Sequence, residues 1–447
     1  MAGMTRFSPS YKNIWLLSFP LIIAGVSETI VGLTDTIFLA HYGTTELAAL
    51  GLADAIYALA LFLIAGVVDG IQITIGRRAG EERHFQIGKV LNQGLYLLAG
   101  ISVAMILIIL WIVPLITVEL FQSIQIHQTV ELYLNVAIYG LLFHAFNLAL
   151  SAFYVGISRT GVFIGATLVL AITNISLDYL LIFGNYGFSE MGIEGAGVAS
   201  LAAEIAVSMF FLIDIIRRRY IQKYGLFLFE AWDKALIKTL TVLSMPVSLG
   251  VLVESLRWVL FFVIIEQLGE DSLAIATIIF SCYALLLIPV DAFSETICSM
   301  VSNLLGQKDE EQLSQLIMKT VALVYIMVLP ILGVTLFFPE YILSIFSPDE
   351  VMIEGAVTSL MVIVLAVLIA VPADILVSSV AGTGDTLVTL VIEVIVSLSI
   401  LGYAYYAAFV AGYSLEYIWL TEIIGWTLYL FLAWLWLKSG WWKRLNI

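Results

Sequence analysis

Residues 47–76 read LAALGLADAIYALALFLIAGVVDGIQITIG, with no lysine, arginine, histidine or proline in the run. A helix needs about 20 mostly apolar residues to cross the hydrocarbon core of a bilayer. A strand of a membrane barrel would instead show about 10 residues of alternating character. So long and continuous a run predicts a membrane-crossing helix.

Eleven further runs share this character, near 13–40, 90–114, 130–157, 161–183, 194–216, 237–266, 272–304, 316–338, 353–381, 386–411 and 416–437. The fold class they predict is an all-α membrane protein of twelve transmembrane helices. Composition agrees: 62% of the 447 residues are hydrophobic and only 12% charged, with a mean hydropathy of +1.06. A soluble domain carries about 25% charged residues. Most of this chain is therefore solvated by lipid rather than water.

The net charge of −15 argues against nucleic acid as a partner, because phosphate recognition needs clustered Lys and Arg. Cys282 and Cys298 lie in one apolar run, too far apart along a helix to pair, and no Cys/His spacing suggests a metal. Pro20, Glu28 and Asp35 interrupt the first run, so a cleaved leader is not expected.

Basic residues are retained on the cytoplasmic side of a membrane. Arg6 and Lys12 precede the first run, Arg77, Arg78, Arg83 and Lys89 follow the second, and Arg159 follows the fourth. Arg217, Arg218, Arg219, Lys223, Lys234 and Lys238 fill the middle of the chain. Lys308 and Lys319 follow the eighth run, and Lys438, Lys443 and Arg444 close the chain. All but Arg257 of the 19 basic residues thus fall on one side, which predicts a multi-pass protein with both termini in the cytoplasm.

The chain also repeats itself. At an offset of 226, Ser18 meets Ser244, Pro20 meets Pro246, Glu28 meets Glu254, Gly43 meets Gly269, Tyr57 meets Tyr283, Asp69 meets Glu295 and Gly80 meets Gly306. Six runs per half is even, so the repeats are parallel, with substrate handled between them. The division this predicts is an N-lobe over 1–216, a basic linker over 217–236 and a C-lobe over 237–447, two pseudo-symmetric six-helix lobes.

Charge inside hydrocarbon costs about 2.5–3.5 kcal/mol on insertion scales, so ionisable residues there are functional candidates. Glu28 and Asp35 share a face of the first helix, and Asn174 and Asp178 share a face of the fifth. Asp35, Asn174 and Asp178 could offer oxygens to a hard cation such as Na⁺, or the carboxylates could carry protons. Asp69, Asp291 and Glu295 are further intramembrane acids, and Asp374 precedes the Gly-rich segment 381–386. The competing reading of each is hydrogen bonding that locks helices together. Arg257, one turn from Glu254, either neutralises Glu254 or Asp374 or contacts an anionic substrate. Gly192-Ile193-Glu194-Gly195-Ala196-Gly197 lacks the strand a dinucleotide site needs. His41, His84, His127 and His144 have no metal spacing, and only His144 lies within a run, where packing is its simplest role. With no nucleophile beside a base and no phosphate loop, neither an enzyme nor a cofactor is expected.

Ser18-Phe19-Pro20, Asp35, His41-Tyr42-Gly43 and Glu46-Leu47-Ala48-Ala49-Leu50 resemble the opening of the multidrug and toxic compound extrusion (MATE) family. Asn174-Ile175-Ser176-Leu177-Asp178-Tyr179 with the glycines of 184–197 resembles its fifth and sixth helices, and Asp374 with Gly382-Thr383-Gly384-Asp385-Thr386 its tenth. The resemblance implies alternating access and secondary active export of organic cations or drugs by antiport with Na⁺ or H⁺. It implies an N-lobe cation site at Asp35, Asn174 and Asp178, with Ser200 where members often carry Thr. Glu254 and Asp374 match a C-lobe acidic pair of NorM-like members. Two departures stand out: Ala370 replaces a Tyr near that pair, and Arg257 is unexpected there. The implied setting is a bacterial or archaeal cytoplasmic (inner) membrane, with lipid and a small organic cation as partners and a monomeric chain. The alternatives are a lipid-linked oligosaccharide flippase of the same superfamily, against which the scarcity of intramembrane cations weighs, and a channel or receptor without coupled transport. Reporter fusions at the C-terminus are expected to be active only as the cytoplasmic reporter; an active periplasmic reporter there would overturn the even count of spans.

Overall fold

The computed structural model describes residues 7–115, 123–346 and 349–444; Arg6 of the first basic group lies outside the described residues. The described elements are helical. The long ones are α1 (Tyr11–Tyr42), α2 (Thr44–Gly80), α3 (His84–Trp111), α4 (Ile124–Ala137), α5 (Gly140–Gly156), α6 (Phe163–Leu181) and α7 (Ile193–Arg217). They continue as α8 (Lys234–Glu266), α9 (Glu270–Gly306), α10 (Leu313–Phe337), α11 (Glu350–Thr383), α12 (Thr386–Tyr405) and α13 (Leu420–Ser439). Among the described residues 11 helices are long and apolar enough to cross a membrane, and α4 with α5 supplies the twelfth crossing as a pair bent by 49°. The bend replaces the straight run that 130–157 suggests. Helices are forced because lipid offers the backbone no hydrogen-bond partners. Exposed Leu, Ile and Val side chains such as Leu59, Leu168, Val242, Ile326 and Leu398 mark surface that only lipid can solvate.

The chain groups into two compact units, Phe19–Ser248 and Met1–Ser18 with Leu249–Ile447. The N unit and C unit thus defined meet along the chain inside α1 and α8. Each helix contains a proline near the division, Pro20 and Pro246.

In the N unit α2 packs on α3, α4 and α5, while α6 pairs with α7. The first half of α8 belongs to this unit and lies close against α2. A Cβ on Gly66 would stand 2.1 Å from Ser248 Oγ and 2.6 Å from its backbone nitrogen, and one on Gly70 would stand 2.3 Å from Ser244 Oγ. Only glycine permits that approach, as small residues do between membrane helices generally. The segment before α8 is strapped to α3. Asn92 Nδ2 donates to the carbonyls of Gly225 (3.2 Å) and Leu228 (3.1 Å), and Gln93 Nε2 to that of Ala231 (3.1 Å). Lys89 Nζ meets Asp233 Oδ2 at 2.6 Å, and this ammonium holds the Asp233 carboxyl below its ordinary range.

In the C unit α11 is the centre, packed on α9, α10 and α13, with α12 against α13. Residues 7–18 are fastened to it by Asn303 Oδ1, which accepts from Phe7 N (3.1 Å), by Gln307 Nε2 donating to Phe7 O (2.9 Å), and by a buried Ser18–Thr296 hydroxyl pair at 2.6 Å. Gly384 ends α11 at φ 93°, where its N–H reaches Ala381 O at 2.8 Å. This left-handed cap is the reason for the glycine in that motif.

Gly66→Val is expected to destabilise the protein by about 1–3 kcal/mol or more, seen as a lower melting temperature in detergent. Gly100→Ala, with nothing within 4 Å of the added carbon, is the control and should leave melting unchanged.

Candidate functional site

Three side chains of the N unit meet as their spacing suggests. The turn of helix between Asn174 and Asp178 sets both on the buried face of α6, at 2% and 0% exposure, and α1 brings Asp35 to them. With its amide turned to satisfy both neighbours, Asn174 Nδ2 donates to Asp178 Oδ2 and Asp35 Oδ1, each at 3.0 Å. Asp35 and Asp178 also hydrogen-bond one another, while Asp178 Oδ1 is buried without a partner. Two carboxyl groups in contact in a low dielectric cannot both stay ionised alone. The arrangement calls for one positive charge, as a proton or a small cation. Ser200 of α7 instead hydrogen-bonds Tyr133 of α4. The electrostatic neighbourhood of both Tyr133 and Asp35 includes Asp54 of α2, a residue the helical spacing did not single out.

A second polar network of the N unit was only partly visible in the sequence. His144 Nδ1 meets Glu204 Oε1 at 2.8 Å. Asn147 Nδ2 donates to Glu204 Oε2 at 2.7 Å and to the Glu204 carbonyl at 2.9 Å, and Ser208 Oγ donates to Asn147 Oδ1 at 2.7 Å. Glu28 of α1 acts electrostatically on both His144 and Glu204. The seven-residue spacing paired Glu28 with Asp35; the structure gives it to His144. The sequence signal that could have found this site is His144 and Asn147 three apart on one helix, with Glu204 and Ser208 four apart on another. An apolar cavity of about 500 Å³, lined by Tyr96, Phe143, Phe146, Met209, Leu212 and Phe229, touches the network only through Ser208. Asp69, a further acid of α2, is half-buried.

The C unit has a different electrostatic plan. Arg257 lies 3.6 Å from Glu254, as the one-turn spacing allows, but also 3.5 Å from Glu422 of α13. The pair with Glu422 is the buried one, at 6% and 4% side-chain exposure, whereas Glu254 is 52% exposed. Nε and Nη1 of Arg257 and Oε1 of Glu422 make no hydrogen bond, so charge rather than directional bonding holds them. Tyr283 Oη donates to Glu422 Oε2 at 2.9 Å, Trp426 Nε1 donates to the same phenol, and the guanidinium lies 4.7 Å from the Trp258 ring centroid. Asp374 accepts from Ser294 and interacts electrostatically with Asp291, on which Glu295 also acts. Glu393 accepts from Tyr429 and, at 2.8 Å, from Ser397. Arg257 is thus engaged by Glu422 and Glu254; its charged neighbours also include Glu393, and Asp374 belongs to the adjoining Ser294–Asp291 group. Among the described residues no group of three or more His, Cys, Asp and Glu side chains is placed to hold a metal, and both cysteines are free thiols.

A family profile described as MatE matches residues 20–180 and again 246–406. The two matches repeat the offset found in the sequence. The chain is 26% identical over 261 residues to the probable multidrug resistance protein NorM of Rhizobium meliloti, covering 58% of this chain and 55% of that protein. It is 23% identical over 386 residues to the probable multidrug resistance protein NorM of Thermotoga maritima, covering 86% and 82%. The match thus spans little more than half the length of the first relative and most of the second. Among solved structures, a MATE crystal structure in the straight conformation superposes with a TM-score of 0.90 at 20% identity over 100% of both chains, and one in the bent conformation with 0.87 at 20% identity over 98% and 96%.

Glu422→Gln removes the buried partner of the Arg257 guanidinium and is expected to cost about 3–5 kcal/mol. Glu254→Gln, at a half-exposed partner, should cost at most about 1 kcal/mol. Thermal melting in detergent compares them, and equal losses would move the main ion pair to Glu254.

Proposed function

The chain belongs to the MatE family, and on that premise we propose that it is a secondary active exporter of organic cations or drugs, driven by antiport with Na⁺ or H⁺ at Asp35, Asn174 and Asp178. The observation that carries this is the Asp35–Asn174–Asp178 contact. Two carboxyl groups in an apolar helical unit need a single positive charge, and an ion gradient can supply or withdraw it. The names borne by the relatives from Rhizobium meliloti and Thermotoga maritima support multidrug compounds as the cargo.

Coupling requires that the ion bind one conformation more tightly than the other, by as much as it is to shift their balance. Asp35 lies on α1 and its partners on α6, so a charge gained here ties two helices and a charge lost leaves carboxylates repelling. Asn174 distinguishes the two ions. A proton leaves its Nδ2 toward the carboxylates, as the hydrogen bonds require. A bound Na⁺ needs oxygen ligands and would turn Oδ1 toward them instead. Organic cations suit an apolar unit with acidic side chains through desolvation, charge pairing and contact with aromatic rings.

The test is efflux of a fluorescent organic cation from proteoliposomes under separately imposed Na⁺ and H⁺ gradients. Wild type should follow one gradient, and Asp35→Asn should lose at least about tenfold in gradient-driven rate. Efflux that ignores both gradients, or survives the substitution intact, removes the coupling assignment.

A further inference from the structure

The His144–Glu204 contact holds one proton in place. Asn147 Nδ2 lies 2.9 Å from the Glu204 carbonyl, which can only accept, so the amide also presents Nδ2 to Oε2, 2.7 Å away. The other carboxyl oxygen, Oε1, meets His144 Nδ1 at 2.8 Å, and one proton lies between the two. The one position left to gain or lose a proton is Nε2. The charged groups acting on the ring are Glu204 from α7 and Glu28 from α1. From α2, Tyr57 lies in the field of Glu204; α3 and α4, also packed on α5, add no charged group to those acting on His144. The ring is reachable, at 29% side-chain exposure against 20% for Glu204, and Glu28 is exposed.

We propose that His144, Glu204 and Glu28 form a second proton-exchange centre of the N unit, at which the positive charge of an organic cation replaces the proton on His144 Nε2. The inference rests on the export reading above and extends it to a substrate subsite. With Nε2 protonated, the imidazolium neutralises Glu204 and leaves Glu28 alone. With Nε2 bare, Glu204 and Glu28 both act on a neutral ring, and a monovalent organic cation restores the lost charge. The proton departs to water and no bond other than N–H breaks. Protonation therefore opposes substrate binding, which is the sign an exporter driven by inward protons needs. The subsite differs from the Asp35–Asn174–Asp178 contact in using an imidazole, whose ordinary titration near neutral pH matches the range in which cells hold proton gradients.

Tetraphenylphosphonium is the probe, with the full chain in lipid nanodiscs in weak buffer slightly below neutral pH. Wild type should release roughly one proton more per cation bound than His144→Gln, by linkage of the two equilibria. Glu204→Gln, which removes the anionic partner, should lose the same extra proton. The four histidines also permit a direct readout by NMR of labelled imidazole, with His41→Gln, His84→Gln and His127→Gln assigning His144 by difference. Saturating cation should convert its signal from imidazolium to neutral imidazole, a measurement that stands even where His144→Gln misfolds. Equal proton release in wild type and His144→Gln, or a His144 signal unmoved by saturation, overturns the proposal and leaves export through Asp35 intact. A wild type that binds no organic cation removes both.

Discussion

A carboxylate in hydrocarbon needs a positive charge beside it, and the source of that charge organises this protein. Water is absent, so solvation must come from side chains, a proton or an ion. On the proposed reading the described N unit answers with exchangeable charge at Asp35–Asn174–Asp178, where one amide joins two carboxyls. The C unit answers with fixed charge: a guanidinium that never deprotonates in proteins sits between Glu422 and Glu254. Helix choice and glycine contacts position the groups of each unit on helices that satisfy their own backbones.

The two units are built on one plan and have diverged in chemistry. The offset that superposes their sequences sets Val31 against Arg257, Phe261 against Asp35, Ile400 against Asn174 and Ala404 against Asp178. None of the three groups of the N-unit contact has a polar counterpart, and the C unit's cation has none either. What is kept is scaffold: Ser18 and Ser244, Pro20 and Pro246, and Gly156 and Gly382, each glycine at a close helix approach, to Ile75 and Gly76 in one case and to Cys298 and Val301 in the other. Tyr57 and Tyr283 are also kept, and each lies in the field of a glutamate from a late helix of its own unit, Glu204 and Glu422. A duplicated shell thus preserved its packing residues while its charges drifted apart.

Much of this was legible in the chain because lipid imposes so strict a rule. Apolar runs of sufficient length can only be helices, so the crossings and the internal repeat were readable, and one-face spacing placed Asn174 beside Asp178. What escaped was pairing between helices distant in sequence. Glu204 lies 60 residues from His144, and Glu422 lies far beyond the Glu254 that helical spacing offers to Arg257. Nothing local in GWTLYLFL or IAVSMFFL announces a partner elsewhere. The bend between α4 and α5 was equally silent, because apolar residues run through it without Pro or a charge at Ile138 and Tyr139. Ser200, a position assigned by likeness to a hydroxyl in relatives, hydrogen-bonds Tyr133, which lies in the field of Asp35.

The contrast between His144 and Arg257 bears on why a duplicated chain keeps two unlike halves. A cycle needs one element whose charge changes with the ion supply and gains nothing from a second that changes independently, since two uncoupled switches populate mixed states. A ligand moves a conformational balance only by its differential affinity, so groups that respond together act more steeply than groups that respond apart. The guanidinium of the C unit contributes a charge that does not itself titrate. The acids of the C unit are held by hydrogen bonds from Ser294, Ser397, Tyr283 and Tyr429. On this reasoning the responsive chemistry concentrates on α1, which carries both Glu28 and Asp35 and whose partners lie on α5, α6 and α7. One helix bearing two acids, each in the field of a different neighbour, would on the proposed reading convert changes at two centres into a single change in how that helix is held.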